Sequence, residues 1–94
     1  MAVVSKDDEI SRGQRAEAIV RDPMFIEAWD AVRARLVGIM ETAQTDEATL
    51  KAKTCLGLLA DVKQHFARVI TDGRIAAESI KLEQDQRKWW QRAA

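Results

Sequence analysis

Few residues in this sequence carry chemistry. His65 is the single histidine and Cys55 the single cysteine. A catalytic histidine needs a nucleophile or carboxylate positioned on it. Asp61, one helical turn earlier, is within hydrogen-bonding reach by spacing. A lone pair of this kind is a weak signal, so a structural or surface role is the better reading of His65. Cys55 falls at the centre of an apolar helix face, where a free thiol acts as a small hydrophobe. A reactive thiol would need exposure and a positive neighbourhood.

The acidic run Asp7-Asp8-Glu9 matches the positive end of a helix dipole better than a metal site. No Cys/His spacing fits zinc, and a lone cysteine forms no internal disulfide. There is no phosphate-cradling glycine loop, no G-x-S-x-G elbow and no H-E-x-x-H motif. From these residues we expect no catalytic site, no cofactor, no metal and no small-molecule substrate.

The stronger signal is a recognition signal. Trp89 and Trp90 lie inside Arg87-Lys88-Trp89-Trp90-Gln91-Arg92. Two indole rings near a polar end are costly to leave in water, and tryptophan and arginine dominate interface hot spots. Trp89, Trp90, Arg87, Lys88 and Arg92 are therefore the expected partner-binding set. The alternative is that one ring folds back onto the helices. Stacking on nucleic-acid bases or lying at a membrane interface also uses basic–aromatic mixtures, but only this one short patch exists. A second set, Ile26, Val37 and Arg33, lies on a shoulder of the second helix. These residues either pack on the first helix or form a subunit contact.

The elements that position these residues are all helical. The chain has 94 residues, one proline and no tyrosine, and no stretch alternates with period two for the length of a strand. Hydrophobic residues make up 47%, but 15 of them are alanine, so a single small domain (1–94) would have a thin core. A first helix is expected over about residues 7–21, capped by Ser5 or Asp7, with Gly13 interrupting a weak apolar side. Residues 1–6 are expected to be flexible.

Asp22-Pro23 reads as a cap followed by a first-turn proline. It opens a strongly amphipathic helix to about Thr42, with Phe25, Trp29, Val32, Leu36 and Ile39 on one face. After Ala43-Gln44-Thr45, a third helix capped by Asp46 or Thr45 is expected to about 72. Its face collects Ala52, Cys55, Leu58, Leu59, Val62 and Phe66. So short a turn makes the two helices an antiparallel hairpin. Asp72-Gly73 reads as a C-cap. Residues 74–94 then form a C-terminal helix or tail that projects or docks lightly. Gly38 and Gly57, inside helices and off the main apolar faces, either permit close helix approach or are tolerated helix glycines.

Fifteen basic and fifteen acidic residues cancel, whereas a general nucleic-acid binder usually shows a basic excess or face. No apolar run nears the roughly 20 residues that cross a bilayer. The N-terminus lacks the apolar middle of a secretory signal. A reducing cytoplasm and no membrane partner are the simple expectations.

The pattern Arg15-Ala16 through Asp22-Pro23-Met24-Phe25-Ile26-Glu27-Ala28, with Ile70-Thr71-Asp72-Gly73-Arg74-Ile75-Ala76 after a second long helix, resembles a group of small phage and prophage proteins. These are encoded among head-assembly and packaging genes, and the resemblance covers residues 12–80. It implies a viral context, in the bacterial host cytoplasm or on the virion. It brings no active site with it. The expected function is therefore non-enzymatic: a helical protein–protein interaction protein of phage origin, acting in assembly or packaging through an oligomeric or partner interface. The alternatives are a DNA-binding, small-terminase-like or regulatory subunit, and a small inhibitor of a host defence protein or enzyme. DNA is the less favoured partner.

Overall fold

A computed structural model describes residues 5–93, and all of its regular structure is helical. The chain forms α1 (Lys6–Arg21), α2 (Pro23–Thr42) and α3 (Asp46–Ala93). They divide into two compact units. One comprises residues 1–17 with 67–94, the other residues 18–66. The expected flexibility of residues 1–6 falls largely on residues 1–4, outside those described; Lys6 is already helical.

Each helix starts where a side chain satisfies orphan backbone N–H groups. Ser5 Oγ accepts from the Asp8 N–H at 3.1 Å, and Thr45 Oγ1 from the Ala48 N–H at 3.1 Å. Asp22 Oδ1 accepts from the Met24 and Phe25 N–H groups at 2.8 and 3.3 Å. Pro23 follows, where its missing N–H leaves no hydrogen bond unmade. The Asp22 backbone is extended, which separates α1 from α2.

In the unit 18–66, α2 and the first part of α3 form the antiparallel hairpin. Phe25 seats edge-on against Phe66, with ring centroids 5.8 Å apart, and stacks on Trp29 at 5.7 Å. Such aromatic pairs add about 1 kcal/mol each beyond area burial. Leu36, Met40, Leu56 and Leu59 are half-buried, and Ala52 is buried. Val32 and Ile39 of α2 and Cys55, Leu58 and Val62 of α3, expected in the seam, are exposed instead. The reason is geometric. An amphipathic face wider than about 100° exceeds the strip that one neighbouring helix covers, so its flanks stay in solvent unless a further layer packs on them.

In the other unit, α1 lies antiparallel against the second part of α3. Lys6 Nζ meets Glu83 Oε1 at 2.6 Å and Ser79 Oγ at 2.9 Å, and Glu17 Oε1 meets Arg74 at 3.2 Å. Between these pairs, Gly13 and Gly73 are both buried, along with Ala16 and Ala76. A β-carbon placed on Gly13 would lie 3.0 Å from Gly73 Cα; one on Gly73 would lie 2.9 Å from the Glu9 carbonyl oxygen. The two helices meet backbone to backbone.

This contact corrects three expectations. Gly73 is no C-cap: no glycine among the described residues has positive φ, and α3 passes through it without a break. One helix of 48 residues runs where two were expected. Gly13 does not interrupt the apolar side of α1 but is its point of closest contact. At Gly38 and Gly57 nothing lies within 4 Å of an added β-carbon, which fits the tolerated helix glycine of the two readings.

Candidate partner-binding site

The C-terminal stretch of α3 is set by where α1 starts. Lys6, the first residue of α1, engages Ser79 and Glu83. Every residue from 81 to 92 is exposed. The helix continues there on intrinsic propensity, rich in Glu, Gln, Lys and Arg, with Arg92 in its last turn suiting the negative end of the dipole.

Trp89 and Trp90 stand on this stretch, 62% and 68% exposed. Neither folds back. Their rings pack on each other edge to face, 5.2 Å between centroids at 80°, which joins two side chains into one aromatic surface. Transferring each ring from water would contribute roughly 3 kcal/mol gross. Ile75 and Leu82 are also exposed, at seven-residue spacing from Trp89. On a helical wheel, at about 100° per residue, this line lies about 140° or more from Gly73 and from the half-buried Ile80, so it faces away from α1. Arg87, Lys88 and Arg92, within three residues of the rings along the chain, are all exposed. The sequence singles out Trp89 and Trp90; the seven-residue line of Ile75, Leu82 and Trp89 is masked in the sequence because the polar Ser79 and Gln86 fill the seam positions between them. Ser79 is in fact turned to Lys6.

Glu83 titrates below the ordinary carboxylate range. Its hydrogen bond from Lys6 is the main cause and the Lys6 charge the next, with a smaller contribution from Arg87.

The second predicted set is distributed along the hairpin. Ile26 is exposed and borders a groove of about 140 Å³ with Val20, Phe25, Trp29, Lys63 and Phe66. Arg33 borders an adjoining groove of about 430 Å³ between α2 and α3, with Leu56 and Leu59 among its lining. Val37 is half-buried.

His65 is exposed, and no hydrogen bond joins it to Asp61. Cys55 is exposed, against the expectation of burial. Its place on the helix falls on a flank of the hairpin that α2 leaves uncovered. Among the described residues, no three His, Cys, Asp or Glu side chains gather as a metal site, and no helix is long and apolar enough to cross a membrane. No family model, curated protein or solved structure matches the chain.

Proposed function

We propose that this protein is a non-enzymatic helical interaction protein that grips a protein partner with the C-terminal stretch of α3. The observation that carries the reading is the exposed, edge-to-face Trp89–Trp90 pair on a helix that α1 leaves uncovered. Burial of the two rings supplies the affinity, and Arg87, Lys88 and Arg92 make contacts at the rim. The partner belongs to virion assembly or packaging, following the resemblance to phage proteins.

The test compares the intact protein with a Trp89→Ala/Trp90→Ala variant, each immobilised and exposed to lysate of phage-infected cells. A virion or packaging protein retained by the wild type and lost by the variant, with unchanged helical circular dichroism, supports the reading. The same set retained by both overturns it. A DNA-binding role predicts retention on a DNA column at low salt that falls steeply as salt rises, and that result would replace the protein partner with nucleic acid.

A further inference from the structure

A two-helix hairpin cannot enclose a core, and the unit 18–66 leaves one flank conspicuously apolar. Asp30 and Arg33 of α2 and Ala60 and Lys63 of α3 line the groove on one flank. On a helical wheel, Val32 and Ile39 lie about 140° from the first pair and Leu58 and Val62 about 150° from the second. On antiparallel helices these rotations bring all four to the opposite flank. Val32 is 46% exposed, Ile39 41%, Leu58 60% and Val62 47%. Ala28 and Cys55 extend the patch, and both are exposed.

The hairpin's own face is large enough for a second copy to cover. The hairpin is about 30 Å long over the 20 residues of α2. Two helices 8–10 Å apart give a face about 20 Å wide. That footprint, ~600 Å² before side-chain relief, approaches the ~800 Å² per partner of a stable interface. Charge does not oppose the pairing: residues 18–66 carry six Lys and Arg against seven Asp and Glu.

We infer that a second copy of this chain packs on the Val32–Ile39–Leu58–Val62 flank, the two hairpins forming a four-helix bundle. This surface is separate from Trp89 and Trp90.

Light scattering and thermal unfolding across protein concentration test it on the intact chain. The expected results are a mass twice 10.6 kDa, a melting midpoint that rises with concentration, and conversion to monomer by Val32→Glu with Leu58→Glu. The Trp89→Ala/Trp90→Ala variant stays dimeric. Should the glutamate variant fail to fold, alkylation of Cys55 in the wild type decides, slowing several-fold as concentration rises. A single-chain mass at all concentrations overturns the proposal. So does a dimer that the tryptophan substitutions dissolve, or one whose formation leaves Cys55 alkylation unchanged.

Discussion

Gly13 and Gly73 face each other across α1 and α3 so closely that a β-carbon on either would lie 3.0 Å from the other's Cα. The obstacle in each case is backbone, which cannot swing aside as the end of a flexible side chain can. Gly13→Ala and Gly73→Ala should each destabilise the α1–α3 pairing by about 1–3 kcal/mol through overpacking, despite the better helix propensity of alanine. Gly38→Ala and Gly57→Ala meet open space. They should stabilise by up to about 1 kcal/mol. Opposite shifts in thermal midpoint for the two pairs of variants would be the signature. Equal shifts would remove the backbone contact from the account.

The Lys6–Glu83 pair makes α1 docking depend on acid. Glu83 has a lowered pKa in the folded protein. The stabilisation is therefore present above the unfolded glutamate value, about 4.3. It is lost as pH falls through the lowered folded value. Between pH 7 and pH 3 the wild type should lose more protection of α1 amides from hydrogen exchange than Glu83→Gln, which has no charge to lose. The difference should shrink in high salt, because both partners are solvent-accessible. Parallel loss in both proteins would rule out this pair as the cause.

Asp22 closes the start of α2 with two hydrogen bonds. Asp22→Ala should cost about 1 kcal/mol, and Asp22→Asn much less, since its amide oxygen can still accept. Chemical denaturation with unchanged slope would measure both.

Phe66→Ala removes the edge contact to Phe25. Phe66 is only half-buried, so the expected loss is about 2 kcal/mol, below the roughly 3–5 of a fully enclosed phenylalanine. Trp29 stacks on Phe25, so its fluorescence should shift in the same variant. A silent Trp29 would argue against the aromatic cluster.

Trp89→Ala/Trp90→Ala should change stability by less than about 0.5 kcal/mol, as surface substitutions away from packed features do. A large drop in thermal midpoint would mean that the rings support the fold rather than recognition.

Much of the architecture was legible in local chemistry. Asp22-Pro23 starts a helix because a carboxylate can cap it and a proline sacrifices no hydrogen bond there. Thr45 ends the short turn because its hydroxyl can accept from Ala48. The 3.6-residue periodicity of Phe25, Trp29 and Leu36 marks an amphipathic face wherever the chain is placed. These signals act within a few residues, so the sequence by itself determined an all-helical chain, the bounds of α2 and the antiparallel hairpin. The role of Gly73 is not local. Asp72-Gly73 suits a helix end when the chain turns and suits a continuous helix when another backbone must approach; only the arrival of Gly13 decides between them. The exposure of Val32, Cys55, Leu58 and Val62 is likewise a tertiary decision. Periodicity says which side of a helix is apolar, but how much of that side is covered depends on how many neighbours the fold supplies, and here α2 and α3 give each other only one.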